Sequence, residues 1–227
     1  MSSSPGILDG DEYEINIELD EGSRLHLETQ SYQRLFQMKK GASQTMEVKM
    51  KKNSHLKYLQ HPVVPHESSS FISKNRIYLN EGCSLLWGEI LTSGRKLNGE
   101  SFSFSSYHNI TEIFLNDKLV VRENLLIKPA LLDIHAIGML EGFTHQASLI
   151  CMNEQLDVKE IIEFMRNELN AEEIEFGITE LPVNGLIIRM LGNKAEKLFE
   201  MNKKFAALLE SFIQQKTINL THTKYAV

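Results

Sequence analysis

Alternating apolar and polar residues dominate the first half of the chain. From Tyr13 to Leu19 every second residue is apolar, a polar turn follows at residues 20–24, and apolar residues resume at Leu25 and Leu27. A period of two residues is typical of a strand with one buried face. The Asp, Gly and Ser residues of the turn tolerate positive φ or bond their own backbone. The segment therefore predicts a strand, a turn and a second strand.

This strand–turn–strand unit recurs three more times along the chain, at intervals of about thirty residues. In each unit the last inward residue before the turn and an inward residue after it are six positions apart. The pairs are Leu19/Leu25, Met50/Leu56, Leu79/Leu85 and Leu115/Val121. Because each unit has an apolar face that a neighbour must cover, the repeat predicts β-hairpins stacked side by side in a helix-like β-architecture. An ordinary β-sandwich is the alternative.

The remainder of the chain has a different pattern. Asp157 is a good N-cap for a helix whose apolar residues continue on one face to Leu169. Two strand patterns at residues 174–181 and 186–191 flank a Pro-Val-Asn-Gly turn. A second helix is predicted over residues 194–215, where apolar residues return at helical spacing.

The predicted fold is therefore mainly β, with two helices near the carboxyl end. Residues 1–150 form the body of stacked hairpins. Residues 151–227 form a helix–hairpin–helix part that packs on the body, and we expect the two parts to fold as one unit.

Composition excludes several classes of protein. The 227 residues are 42% hydrophobic and carry a formal net charge of -6 without a basic stripe, which argues against nucleic acid as a partner. No apolar run approaches the roughly 20 residues that span a membrane, and residues 1–10 lack the features of a secretory signal. The two cysteines, Cys83 and Cys151, form no CxxC pattern, so a cytoplasmic location is expected.

Familiar catalytic and metal-binding motifs are missing from the sequence. There is no phosphate-binding glycine loop, no GxSxG, no HExxH and no EF-hand spacing. Of eight scattered histidines, His61 and His66 are the nearest pair, in an extended loop that contains Pro62 and Pro65. They are weak candidates for a metal site, because metal sites need convergent ligands with further support, and we expect solvent-exposed loop residues instead.

One polar feature stands out on the inward face of the predicted strands. Four positions beyond the first apolar residue of each return strand, the first three units carry Thr29, Gln60 and Glu89, and the fourth carries Leu125. An ionised carboxylate buried alone costs several kcal/mol, so Glu89 must be paired, protonated or hydrated. If the units stack in register, these three side chains align inside an apolar body. We call Thr29, Gln60 and Glu89 the polar seam.

Three interpretations of the polar seam are open. It is a structural network in which Arg95 neutralises Glu89, a hydrated passage through the protein, or part of a hydrolytic site with paired acids, Glu89 with Glu100 or Asp11. The strand that carries Glu89 turns at residues 93–94 and returns. We therefore predict that Glu89, Arg95 and Glu100 lie close together, because an arginine between two carboxylates stabilises both.

Several short motifs are more specific. Residues 4–11 read Ser-Pro-Gly-Ile-Leu-Asp-Gly-Asp, residues 29–32 read Thr-Gln-Ser-Tyr, and residues 89–100 contain Glu-x-x-x-x-Gly-Arg-x-x-x-Gly-Glu. Beyond the polar seam, the residues that carry these motifs are Pro5, Gly6, Gly10, Asp11, Gln30, Ser31, Gly94, Arg95, Gly99 and Glu100. The motifs resemble those of the UreD/UreH family of urease accessory proteins, and the resemblance runs through nearly the whole chain.

The resemblance implies a cytoplasmic scaffold without catalytic activity of its own. Such proteins bind apo-urease and act with the accessory proteins UreF and UreG, the latter a GTPase that delivers nickel. No cofactor would be bound stably, although nickel could be in transit, and the polar seam would be a candidate stretch of its route. Family members usually carry several tens of residues, comprising opening strands, before the Pro-Gly motif. Two explanations are open for the difference: an internal methionine has been taken as the start, or the chain is a natural short form.

Two rival functions make different predictions. A β-solenoid enzyme that acts on carbohydrate through paired carboxylates would need an open groove lined by aromatic residues. Aromatic residues are only 8% of the chain, and Trp87, the single tryptophan, is predicted to point inward. A nickel storage protein would need a dense cluster of ligands, which the scattered histidines do not supply. The scaffold is the preferred interpretation.

Overall fold

Strands account for most of the regular secondary structure in the computed structural model. The structure describes residues 5–154, 156–168 and 173–224; for residues 166–168 and 215–224 it describes the backbone only. The strands are β1 Glu12–Leu19, β2 Arg24–Glu28, β3 Gln33–Leu35, β4 Ala42–Met50, β5 His55–Leu59, β6 Val63–Pro65, β7 Ser70–Leu79, β8 Ser84–Leu91, β9 Ser106–Leu115, β10 Lys118–Ile127, β11 His145–Met152, β12 Ile174–Glu180 and β13 Gly185–Gly192. The helices are α1 Val158–Glu168 and α2 Ala195–Lys224, with a short 3-10 helix at Lys96–Asn98.

The strands form two sheets that face each other. The front sheet has five strands in the order β1-β4-β7-β9-β10. The rear sheet has the order β12-β13-β11-β8-β5-β2, with the short strands β3 and β6 paired beside it. In the front sheet β1, β4, β7 and β9 are parallel, and in the rear sheet β2, β5 and β8 are parallel. Apolar side chains from both inner faces, including the fully buried Val48, Ile77 and Trp87, fill the space between the sheets.

The two strands of each of the first three units do not pair with each other. The first strand lies in the front sheet and the second in the rear sheet, and each pairs with the equivalent strand of the next unit. The resulting rungs are Leu19–Met50–Leu79–Leu115 in front and Leu25–Leu56–Leu85 behind. The units are therefore arches rather than the predicted hairpins. An arch lets the two apolar faces cover each other, whereas a hairpin would leave both in one sheet.

The fourth unit is a true hairpin, and turn length explains the difference. Four residues separate the strands of each arch, but only Asn116 and Asp117 separate β9 from β10. Both have positive φ, 48° and 63°, which is the geometry of a two-residue hairpin turn. Val121 consequently lies opposite Ile113 in the front sheet, and β11, antiparallel to β8, takes the next place in the rear sheet.

The carboxyl-terminal segment extends and covers the rear sheet. β13 and β12 follow β11 in that sheet, while α1 and α2 pack Met165, Leu198 and Phe205 against its outer face. The mainly β fold with two carboxyl-terminal helices is thus confirmed, although α2 continues past the predicted end at Gln215 and Leu169 lies outside the described residues. The division at residue 150 stays a prediction. No helix among the described residues is both long and apolar enough to cross a membrane.

Candidate functional site

The rear sheet places the three residues of the polar seam at matching positions. Glu28, Leu59 and Gly88 lie side by side on β2, β5 and β8, and Thr29, Gln60 and Glu89 each follow by one residue. Each of the three lies an even number of residues from an inward apolar residue of its strand, so its side chain points to the same inner face. Gln60 is only 8% exposed, and Thr29 and Glu89 are partly buried.

Glu89 is surrounded by amides and a hydroxyl from the front sheet. Its Oε2 accepts a hydrogen bond from Asn109 Nδ2 at 2.9 Å, and its Oε1 accepts one from Asn75 Nδ2 at 3.1 Å. Thr111 Oγ1 donates at 3.4 Å. Asn75, Asn109 and Thr111 are all buried, so the carboxylate is held by neutral donors in the middle of the sandwich.

Burial sets the protonation of Glu89. It raises the pKa of the carboxyl group to about 7, while hydrogen bonds from Asn109 and Thr111 oppose the rise and the nearby Glu123 adds to it. The carboxyl group lies deep between the sheets, yet its side chain keeps a partly exposed surface on an otherwise buried strand. Water can therefore reach part of the Glu89 side chain and hydrate its charged form.

The predicted contact between Glu89 and Arg95 is wrong. Arg95 lies beyond the end of β8, where its guanidinium group forms a two-point ion pair with Glu100; the Nε–Oε2 distance is 2.9 Å. Glu100 also accepts a hydrogen bond from the backbone N–H of Glu67 at 3.2 Å. The chain leaves the sandwich before it reaches Arg95, so this arginine and Glu100 close a surface loop instead of neutralising Glu89.

The third interpretation of the polar seam, a pairing of Glu89 with Glu100 or Asp11 for hydrolysis, does not fit the structure. Glu100 is held in the loop by Arg95, and Asp11 accepts hydrogen bonds from the Leu8 N–H at 2.8 Å and from the Tyr13 hydroxyl at 3.3 Å. Neither acid is among the groups that contact Glu89. Trp87 has no exposed surface, so it lines no open groove.

Gln60 belongs to a second polar cluster beside the Glu89 group. Gln60 Nε2 donates to Gln33 Oε1, and Gln33 Nε2 donates to Gln44 Oε1 at 3.4 Å. Gln44 lies next to Ser73 in the front sheet, and Ser73 lies next to Asn109. The two clusters are therefore linked through neighbouring inward positions.

Thr29 lies at the outer end, where it meets His61. Its hydroxyl accepts a hydrogen bond from the His61 backbone N–H at 2.9 Å and lies 3.2 Å from His61 Nδ1. The His61 ring packs on Phe199 of α2 with ring centroids 4.1 Å apart. His66 instead packs against the Phe36 ring at 4.9 Å and is buried, which lowers its pKa. The predicted solvent exposure of this histidine is wrong, and the two histidines have separate partners.

Metal ligands do not converge in the described part of the chain. No group of three or more His, Cys, Asp or Glu side chains there is arranged to hold a metal ion. The oxygen atoms around Glu89 come from one carboxylate, two amides and a hydroxyl. Such a set can attract and hydrate a passing divalent cation, but it lacks the several anionic ligands of a tight site.

Most of the remaining motif residues shape loops. Pro5, Gly6, Gly10 and Asp11 form the loop before β1, where a Cβ on Gly6 would lie 2.4 Å from the Arg34 carbonyl oxygen. Gln30 and Ser31 are exposed in the segment after β2, and Gly99 ends the 3-10 helix with a left-handed conformation.

Gly94 offers a test of this structural role. Its φ is 118°, and a Cβ there would lie 2.7 Å from the carbonyl oxygen of Pro65. Gly94→Ala is expected to lower the free energy of unfolding by about 1–3 kcal/mol in urea denaturation, because the backbone must shift. Gly142→Ala is the matched control, since nothing lies within 4 Å of that position. Equal stability of the two variants would contradict the tight packing assigned to Gly94.

The front-sheet residues that contact the polar seam were not predicted from the sequence. Asn75 and Thr111 occupy the inward phase two residues before Ile77 and Ile113, and Gln44 lies four residues before Val48 of the same apolar rung; this polar interruption was a readable signal. Two further inward positions continue the row beyond Glu89: Ser148 on β11 lies opposite Glu89, and Arg189 on β13 lies opposite Ser148. Their placement depends on the strand order, which the sequence does not show.

Comparisons with known proteins agree on one family. A family model described as UreD urease accessory protein matches residues 1–223. A urease accessory protein UreD from Flavobacterium johnsoniae is 49% identical over 222 residues, which are 97% of this chain and 79% of the relative. Proteins of the same name from Acetivibrio thermocellus and Haemophilus influenzae are 36% and 35% identical, over 92% and 93% of this chain and 80% and 82% of the relatives.

These matches cover almost the entire chain, at identities that are well above the level at which only a fold is shared. They include the strands of both sheets and the residues of the polar seam. The chain belongs to the UreD family of urease accessory proteins and is an accessory factor rather than an enzyme.

Proposed function

We propose that the chain is a cytoplasmic scaffold for urease maturation, which binds apo-urease together with UreF and UreG while nickel is inserted. Its family membership and the names of its relatives support a role in the urease system. No cofactor would be bound stably, and nickel would be cargo in transit. Under this proposal, neither nucleic acid nor a membrane is a partner.

The observation that carries the nickel part of the proposal is the polar row through an apolar core. From Thr29 to Arg189 the row crosses β2, β5, β8, β11 and β13, which at roughly 5 Å a strand is about 20 Å. Apolar rungs flank it on the inner faces of both sheets. An interior that only had to be stable would be filled by apolar side chains, because buried polar networks carry a desolvation cost.

The chemistry of the row suits a hydrated cation in passage. Glu89 supplies one carboxylate at the midpoint, and neighbouring amide and hydroxyl oxygens can accept hydrogen bonds from the water around an ion. Because the pKa of Glu89 is about 7, the carboxyl group can exchange a proton for a cation near neutral pH. A single carboxylate attracts the ion without trapping it.

The test uses Glu89→Gln, which removes the charge and keeps the shape, and Thr29→Trp, which adds bulk at the outer end. Apo-urease, the other accessory proteins and each variant are combined, partner binding is measured by pull-down, and nickel is then measured in the isolated urease. We expect both variants to bind partners normally while urease nickel falls several-fold. Glu18→Gln, at an exposed outward position on β1, is the control.

Normal nickel content with both variants would show that the polar seam is a structural network. Loss of partner binding by Thr29→Trp alone would assign Thr29 to a docking surface. In that case Glu89→Gln decides the question, because its substitution lies inside the sandwich and leaves every outer surface unchanged.

A further inference from the structure

One ion pair connects the two sheets through the interior. Arg189 Nη2 on β13 of the rear sheet lies 2.6 Å from Glu123 Oε1 on β10 of the front sheet. The other ion pairs among the described residues lie within one sheet, between neighbouring turns, within a loop or at a helix. The Glu123–Arg189 pair is therefore the charged contact that spans the space in which the polar seam lies.

The pair lies where the row of inward polar residues reaches the surface. On the rear sheet Ser148 has Glu89 on one side and Arg189 on the other. On the front sheet Glu123 lies opposite Thr111, a hydrogen-bond partner of Glu89. The side chain of Arg189 is 52% exposed and that of Glu123 is 25% exposed, so the pair lies at the β10 edge, between the Glu89 region and bulk solvent.

The Glu123–Arg189 ion pair can close this end of the polar row and can also break. A guanidinium group at this position repels cations, while the ion pair with Glu123 holds it between the two sheets. Ion pairs with this degree of exposure are weakly stabilising, because water competes for both partners. The arginine can therefore swing outward and leave the Glu123 carboxylate facing the polar row, as the next negative group after Glu89.

We propose that Glu123 and Arg189 form a gate at this end of the polar seam, closed while the two side chains are paired and open to solvent and cations when they separate. The inference rests on the proposed function, since a gate implies a hydrated passage behind it. Arg189 is the movable part and Glu123 is the positioning residue that holds it closed.

The experiment measures access to the interior and needs no urease. Ser148→Cys places a thiol directly behind the gate, and its rate of modification by the small neutral reagent methyl methanethiosulfonate is followed by mass spectrometry. If the paired state predominates and the open state is a minor one, adding Arg189→Ala should raise the rate about tenfold. Glu123→Gln should act in the same direction, and Arg189→Lys should restore slow modification.

Two controls separate gating from damage to the fold. Arg122→Ala removes a neighbouring arginine of β10 whose ion pair with Glu112 lies on the outer face, and it should leave the rate unchanged. Arg189→Ala without the new cysteine reports unfolding, because the native Cys83 and Cys151 are both buried and react only if the core opens.

The outcomes distinguish the gate from the passage. Slow modification with the pair intact and fast modification without it supports the gate. Equally fast modification in all variants would overturn the gate and leave the hydrated seam standing. No modification of the Ser148→Cys thiol in any variant would overturn both the gate and the hydrated passage.

Discussion

Replacing Ile77 by alanine is expected to lower the free energy of unfolding by about 2–5 kcal/mol, the usual cost of deleting a buried isoleucine side chain. Ile77 has no exposed surface and lies in the front-sheet rung between Val48 and Ile113. It packs against the rear sheet through the same core cluster as Trp87. The substitution leaves a cavity that the parallel strands cannot close without losing their register.

The same strand supplies a matched control. Ile72 also lies on β7, but it points outward and is 42% exposed. Ile72→Ala is expected to change the free energy of unfolding by less than about 0.5 kcal/mol. Urea denaturation of both variants measures the difference directly. Similar losses at the two positions would be incompatible with the assignment of inner and outer faces on β7.

The second large effect is a dependence of stability on pH that comes from Glu89. Its pKa is raised from the ordinary value of 4.5 to about 7 by burial, so the folded protein holds a proton that the unfolded chain releases. Below pH 4.5 both states are protonated and the group contributes no penalty. As pH rises from 4.5 to 7 the penalty grows, and above pH 7 it is constant at about 3 kcal/mol or less, because water reaches part of the side chain.

Glu89→Gln should remove this dependence. The amide resembles the protonated carboxyl group in shape: its oxygen can accept a hydrogen bond from one of the Asn75 and Asn109 amides, and its NH2 group can donate to the oxygen of the other once that amide turns over. The variant is therefore expected to match the wild-type protein in stability near pH 4.5 and to exceed it at pH 8. Glu12→Gln, at an exposed position on β1, controls for the loss of one negative charge. A variant that is less stable than wild type at pH 8 would show that the charged form of Glu89 stabilises the fold.

Residue spacing carried enough information to predict which residues stack. The six-residue spacing identified Leu19, Met50 and Leu79 as equivalent positions, and they form one rung of the front sheet. Alternation alone could not show whether the strands of a unit share a sheet, since arches and hairpins have the same inward period. Turn length held the missing information, because four-residue connections lead to the other sheet and the two-residue connection does not.

For the polar seam as well, some features could be predicted from the sequence and others could not. Glu89 was identified by counting four positions along its strand from the first apolar residue, and this position alone predicts that its side chain points inward. Its partners Asn75 and Thr111 come from the opposite sheet, so they could be identified only after the arches were known. Arg95 was the expected partner of Glu89 because the two residues are close in sequence. The chain leaves the sandwich between them, however, so Arg95 lies in a surface loop and pairs with Glu100 instead.

The arches also have a kinetic consequence. Pairing in the front sheet joins Leu19 to Met50 and Met50 to Leu79, positions about thirty residues apart, whereas β9 and β10 pair across a two-residue turn. Local hairpins form in microseconds, but distant parallel pairing must first overcome the entropy of loop closure. The β9–β10 hairpin is thus expected to form faster than the parallel rungs, which join strands of different arches.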